Sequence, residues 1–526
     1  MNTKNIIKSI FLFVLVMSLI KTDYRLVSEI NCCSDDFEYF IHSQTIVEDR
    51  DFDYSNQIID SSKARFRNGD KIAPAGFVGS GIMASPFYFL GYILNRLFEG
   101  SPTFNFIILF YSLSSIFYLF LSLYLLIKSI ELINPKANRF FLTLIFFGSG
   151  ISYYAFERFS MTHVYEVFIT SLLIYLSLIF SRSKLGHQSN IYAFSIPLVV
   201  LLGILCRWTN YYFFILPFVI NMLHKLKQNN SNILYKNKYL YVSGILSIFI
   251  FTLLSQSIYG LVTYNPQVIY SSNRLENFLV INFDFFITNA KNFFLLFVTN
   301  EFGILWTVPC IALSIILCFY QNIKRRNLGL NFIILLIFAQ VVLAVLLWST
   351  TASSYGFRYL YSLIPFSIFY IYYTVENIEE TIFFKILLGL SIVGFISYLF
   401  FETTTFTQLS TDKLTNSFGK ADVPYSQPLY MTGVLKSIIS VEAYLKIFAN
   451  GFLVALVLKI LLYIIDYEAL LDILGSLGLP SENESFIKNL DSIVATEVIN
   501  LILFFFINSL FIYLTLNFVN KKNQLS

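Results

Sequence analysis

The sequence predicts an all-α polytopic membrane protein, and three observations lead there. Apolar stretches recur from end to end of the 526 residues. Hydrophobic residues make up 56% of the chain and charged residues only 13%, with a mean hydropathy of +0.67. Basic residues cluster in alternate connecting loops. Soluble domains carry about 25% charged residues, so this chain has too few charges to coat a water-facing body of its size. The bilayer must serve as solvent for most of it, and within a bilayer a helix satisfies its own backbone.

A helical span needs about 20 apolar residues to cross roughly 30 Å of hydrocarbon. In chain order the candidates are Ile6–Ile20, Phe104–Ile127, Phe140–Phe156, Val164–Phe180, Ile191–Cys206, Tyr211–Leu223 and Tyr239–Tyr259. They continue with Gly303–Tyr320, Leu328–Trp348, Tyr359–Val375, Phe383–Phe401, Leu445–Ile465 and Val498–Val519. Several are short, so the expectation is about 11–13 spans. The stretch from Gly81 to Leu97 contains Pro86 and closes with Arg96, which suggests a helix over 80–98 lying at the membrane surface. Small outer helices are expected in the first and fourth outer loops.

Lys4 and Lys8 precede the first apolar stretch, and no Ala occurs before Ala64 to offer a typical signal cleavage site. That stretch reads as an uncleaved span with its amino end in the cytoplasm. Lys/Arg asymmetry then sets the orientation. Inner loops hold Lys128, Lys136 and Arg139; Arg182 and Lys184; Lys225, Lys227, Lys236 and Lys238; and Lys324, Arg325 and Arg326. Opposite turns hold single basic residues, Arg158, Arg207 and Arg358. Beyond about residue 440 the charges no longer resolve the topology, because Asp466–Glu497 is acidic and Lys521 and Lys522 would fall outside. The first outer loop spans 21–79, and the topology of the carboxyl-terminal membrane region, 376–526, stays open.

A net charge of +4 and the lack of a Lys/Arg block give no footprint for nucleic acid. The five cysteines have no His at metal-ligand spacing, which argues against zinc.

Chemistry-bearing residues gather on the outer side. The first outer loop holds Asp35 and Asp36, followed by Glu38, Glu48, Asp49, Asp51 and Asp53. A carboxylate near the interface can act as a general base when low dielectric and a neighbouring charge raise its pKa. Taken alone, an Asp–Asp pair reads as a solvated acidic loop. Lys71, in Asn68-Gly69-Asp70-Lys71, could meet a phosphate or sit in a plain turn. His163 and Glu166 share a helical face at i, i+3. Arg207, Glu301, Arg358 and Tyr359 occupy other outer turns. Carboxylates and cations on one side of a membrane suit a phosphate-bearing ligand, since Arg binds phosphate through a two-pronged fork.

The order of these segments resembles the GT-C superfamily of polyprenyl-phosphate-sugar glycosyltransferases, in the protein-mannosyltransferase-like and aminoarabinose-transferase-like group. The resemblance rests on Ser34-Asp35-Asp36 after a first span, Ser85-Pro86-Phe87-Tyr88 leading into an interfacial helix, and Met161-Thr162-His163-Val164-Tyr165-Glu166. Arg207-Trp208-Thr209-Asn210, Asn300-Glu301-Phe302-Gly303 and Gly356-Phe357-Arg358-Tyr359 complete it over about the first 375 residues. It departs where Ser85-Pro86 replaces a frequent double proline, and after Glu402, where nothing matches.

The resemblance implies an inverting transfer from a polyprenyl-phosphate sugar to a lipid, glycan or protein acceptor, on the outer face of a bacterial plasma membrane. It implies Asp35 or Asp36 as base, with Asp36 preferred. Arg358 would bind the donor phosphate with Lys71 and Arg207 as helpers, while His163, Glu166, Glu301 and Tyr359 would line the acceptor or sugar pocket. No cofactor is expected; a divalent metal is not favoured. Two other classes fit the hydropathy, a transporter of lipid-linked sugars and an envelope polysaccharide polymerase or ligase. Transporters place polar residues at mid-membrane within repeated halves, and no repeat is visible here.

Overall fold

The computed structural model describes residues 34–59, 65–98, 105–156, 158–183, 186–227, 232–263, 266, 297, 304–324, 328–348, 358–375, 377–400, 452–476 and part of 490–510. The expected first span, Cys32, Cys33, Glu301 and the segment 402–430 lie outside these residues. What is described is helical apart from one short hairpin.

Four helices are long and apolar enough to cross a bilayer: α3 (Phe106–Ile133), α6 (His163–Arg182), α7 (His187–Cys206) and α9 (Lys238–Tyr259). They mark a membrane-embedded protein. Leu328–Trp348 and Ile382–Phe400 are further apolar helices of 21 and 19 residues.

Other expected spans are broken, each for a visible reason. The stretch 140–156 divides into α4 (Arg139–Phe147) and α5 (Ile151–Phe156) at Gly148-Ser149-Gly150, where Gly150 takes φ 76°. The stretch 211–223 opens as a 3-10 turn, Trp208–Phe214, kinked at Asn210, before the 12-residue α8 (Leu216–Lys227). Residues 303–320 divide at Val308, which precedes the helix-starting Pro309. Residues 359–375 begin as a 3-10 turn, Arg358–Leu363, before the helix Ile364–Thr374. Apolar runs show where a chain can enter lipid, but not where glycines and prolines divide it.

The helices pack through small polar residues, which let backbones approach and bond across the gap. Along α3, Ser114 Oγ meets Tyr165 Oη at 2.6 Å and Ser122 Oγ meets Ser171 Oγ at 2.7 Å. Ser115 Oγ donates to Ala155 O at 2.7 Å. The serines thus fix α3 against α6 and the end of α5.

A layer of short elements covers one end of these helices. α1 (Ser34–Gln44) carries Asp35 and Asp36 in its first turn, where carboxylates favour the helix dipole. It runs into a π-helical turn, Thr45–Asp49. The hairpin pairs β1 (Phe66–Asn68) with β2 (Lys71–Ala73) around Gly69 at φ 60°. α2 (Gly79–Leu97) matches the helix expected over 80–98. Pro86 inside it cannot donate to the Ile82 carbonyl; the Ser85 hydroxyl does so instead, at 2.8 Å. Gly79 lets α2 touch the end of α7, because a Cβ there would lie 2.5 Å from Cys206 N.

Candidate functional site

At that end of the bundle, four carboxylates and four guanidinium groups come together from distant parts of the sequence. α1 supplies Asp35, Asp36 and Glu38. Arg65 precedes β1, Arg158 lies in the turn between α5 and α6, and Glu166 stands in the first turn of α6. Arg207 caps α7 in an extended conformation, and Arg358 begins its 3-10 turn.

Each carboxylate meets an arginine. Asp35 accepts from Arg65 Nη1 at 2.6 Å and from Arg358 Nη2 at 3.2 Å. Asp36 is ion-paired with Arg158, and its backbone carbonyl accepts from Ser160 Oγ at 2.5 Å. Glu38 takes two bonds from Arg65, each 2.5 Å, and a third from Ala75 N at 2.9 Å. Glu166 Oε1 accepts from Thr162 Oγ1 at 2.5 Å and from Arg207 Nη1 at 3.4 Å. Four carboxylates thus stand against four guanidinium groups.

Burial separates the two candidate bases. The Asp35 side chain is 24% exposed and that of Asp36 only 3%. Burial pushes the Asp35 carboxyl up, but Arg358 and Arg65 outweigh it and hold the group well below the usual carboxylate range. For Asp36, burial dominates over Arg158 and raises it. Glu38 is likewise raised by burial, against the pull of Arg65. Asp35 is thus the ionised carboxylate that solvent or a ligand can reach. The sequence-based preference for Asp36 rested on no feature that separates adjacent residues.

Tyr359 lies beside two cations. The Arg207 guanidinium is 4.3 Å from its ring centroid and that of Arg358 is 5.1 Å away. Arg358 Nη2 also donates to the Tyr359 hydroxyl at 3.2 Å. Below them, His163 accepts from Arg207 Nη1 at its Nδ1, 3.3 Å away, and stands edge-on to Tyr154 with centroids 4.5 Å apart. His163 and Glu166 are fully buried, and His163 Nε2 and Glu166 Oε2 have no hydrogen-bond partner among the described residues. Buried polar atoms are normally paired; Arg358 Nε, in the same cluster, is likewise without a hydrogen-bond partner among the described residues.

Asp35, Asp36, His163, Glu166, Arg207, Arg358 and Tyr359 therefore come together. Lys71 does not: it is exposed on the hairpin beside Gly260. Glu301 lies outside the described residues. Sequence reasoning gave no role to Arg65, Glu38 or Arg158. Glu38 was findable, since it follows Asp35 by one helical turn. Arg65 lies 30 residues from Asp35 and Arg158 lies 122 from Asp36, and no local pattern links them.

Among the described residues no group of three His, Cys, Asp or Glu is placed to hold a metal ion. A divalent ion at Asp35 or Glu38 would have to displace Arg65. No family model matches the chain, and no curated protein or solved structure is similar to it.

Proposed function

We propose that this chain is an integral membrane glycosyltransferase that moves a sugar from a polyprenyl-phosphate donor to a lipid, glycan or protein acceptor. One observation carries the reading: a reachable, ionised carboxylate, Asp35, bonded to an arginine that is itself beside Tyr359 and Arg207. A base and a cationic phosphate site are then side by side, as transfer from a sugar phosphate requires.

In this reading the acceptor hydroxyl oxygen attacks the anomeric carbon from the face opposite the phosphate. The bond from that carbon to the phosphate oxygen breaks, and its electron pair leaves with polyprenyl phosphate. The hydroxyl proton passes to Asp35, and the configuration inverts. Arg358, helped by Arg207, stabilises the charge growing on the leaving phosphate. His163 and Glu166 offer Nε2 and Oε2 to sugar or acceptor hydroxyls, with Tyr359 as a wall.

The Asp35–Arg358 pair adds a coupling between donor and base. Asp35 is held low partly by Arg358. A donor phosphate that competes for Arg358 relieves that hold and raises the basicity of Asp35. The donor would thus ready its own base. The wider reading places about 11–13 spans in a bacterial plasma membrane, the amino terminus in the cytoplasm and the site on the outer face.

The test is release of polyprenyl phosphate from a panel of polyprenyl-phosphate sugars by purified protein. Turnover lost in Asp35→Asn, with donor binding kept, supports the transferase. Movement of lipid-linked sugars between leaflets, unchanged in that variant, would replace it with a transporter.

A further inference from the structure

We propose that a second anion site, separate from the carboxylate–arginine cluster, lies beside the carboxyl-terminal half of α2 and takes an anionic phospholipid of the surrounding bilayer. A cleft of about 500 Å³ opens between the π-helical turn and α2, and Arg50 and Arg96 line it with Pro86, Phe89 and Tyr92. Arg96 lies 4.6 Å from the Tyr92 ring centroid, and Arg50 is exposed. Among the described residues neither has a carboxylate partner. The acidic residue of the cleft, Glu48, is already engaged by the Tyr88 hydroxyl and by Gln44 Nε2 at 3.3 Å. Two cations thus face the opening against one occupied carboxylate, so an anion is the complementary ligand.

Depth selects a lipid over a soluble anion. Gly91 sits against the first turn of α3, where a Cβ would lie 2.5 Å from Phe106 O and 2.7 Å from Ile107 Cα. Lys128 stands roughly 33 Å down the same helix from Phe106 at 1.5 Å per residue, about one hydrocarbon thickness. With Lys128 at one interface, Phe106 and the adjoining half of α2 lie at the other. There Leu90, Ile93 and Leu97 are 50%, 37% and 70% exposed. They follow one another at i, i+3, i+7 and form an apolar ribbon beside the arginines. A phosphate between Arg50 and Arg96, with its acyl chains along that ribbon, uses both features.

The backbone supplies a clean probe. Arg50 is held at φ 62°, in the left-handed region that glycine enters freely. Arg50→Gly therefore removes a cation while relaxing the chain.

The experiment counts bound lipid by native mass spectrometry on the full chain in detergent. The probes are dioleoylphosphatidylglycerol, dioleoylphosphatidylcholine and inorganic phosphate. Wild type is expected to retain phosphatidylglycerol over phosphatidylcholine. The variant Arg50→Gly/Arg96→Gln is expected to bind phosphatidylglycerol roughly thirtyfold more weakly, as two lost surface cations imply. If the double variant loses helix content, Arg50→Gly alone decides, through the same drop in smaller measure. Equal retention by wild type and a folded variant overturns the proposal. So does inorganic phosphate that binds as tightly as the lipid, since the apolar ribbon would then contribute nothing.

Discussion

Asp35→Asn and Asp36→Asn should fail in different ways, and the difference decides which carboxylate is the base. Asp36 and Arg158 are 3% and 5% exposed and paired with each other. Removing one partner of a buried pair leaves an uncompensated charge and costs about 3–5 kcal/mol. Asp36→Asn should therefore lower the thermal midpoint sharply before any kinetic effect is considered. Asp35 is more open, and Arg65 keeps its two bonds to Glu38 when the Asp35 carboxylate is lost. Two charged hydrogen bonds, partly screened, give a stability loss of about 1–3 kcal/mol. The catalytic loss should be larger: a positioned base contributes about 10²–10⁴-fold, or roughly 3–5 kcal/mol of barrier. The assay pairs polyprenyl-phosphate release with a melting curve and with donor binding for each variant. Asp35→Asn should keep its fold and its donor while losing turnover. A folded, active Asp35→Asn beside a folded, inactive Asp36→Asn would refute the assignment and move the base to Asp36. Two folded, active variants would refute carboxylate base catalysis at this site.

Other consequences follow from the same geometry. Arg358→Gln should lower kcat about 10²–10³-fold, and Arg358→Lys should recover part of it, because lysine keeps the charge but not the fork; steady-state kinetics on one donor checks both. Gly79→Ala places a Cβ 2.5 Å from the Cys206 backbone nitrogen, which cannot move cheaply. It should destabilise by about 1–3 kcal/mol, whereas Gly244→Ala, with nothing within 4 Å, should melt like wild type. His42 is buried between the Tyr54 hydroxyl, 2.7 Å away, and the Gly76 carbonyl at 3.0 Å, and burial pushes it down to about 4. The folded state thus disfavours the proton, so the His42 contribution is complete above its unfolded value and is lost as pH falls from about 6.5 towards 4. Glu38 and Asp36, raised by burial, act with the opposite sign and are common to both proteins compared below. The difference between wild type and His42→Gln isolates the effect: the wild-type midpoint should drop more steeply between pH 7 and pH 5, and parallel curves would refute it.

What could be read from the sequence was what short-range patterns carry. The helix at Gly79–Leu97 was visible because its apolar run is bounded by glycines and closed by Arg96. The apolar helices at Lys238–Tyr259 and Leu328–Trp348 were visible because length and hydropathy decide membrane entry. The hairpin at Phe66–Ala73 was not foreseen, since three-residue strands offer too little alternation to register. Of the cluster's eight charged residues the sequence singles out five, Asp35, Asp36, Glu166, Arg207 and Arg358, but not their pairing. Nothing in the sequence says that Arg158 turns to Asp36 while Arg65 and Arg358 share Asp35. That choice follows from how α1 is seated, with Phe40 edge-on to Tyr111 of α3 at 5.0 Å and Ser160, in the turn before α6, bonded to the Asp36 carbonyl. Adjacent carboxylates on a helix point about 100° apart; only the fold decides which meets the deeper arginine.

The composition of the cluster is itself an argument for chemistry. Buried ion pairs are weak sources of stability, because desolvation offsets most of the attraction and apolar residues of similar volume often do as well. A bundle made from 56% hydrophobic residues has no shortage of such replacements. Yet eight charged groups are gathered at one end, and His163 Nε2, Glu166 Oε2 and Arg358 Nε are buried there without a hydrogen-bond partner among the described residues. Folding alone gives no reason for that arrangement. The proposed donor, with its own negative charge and its own hydroxyls, would give one, by competing with Asp35 for Arg358.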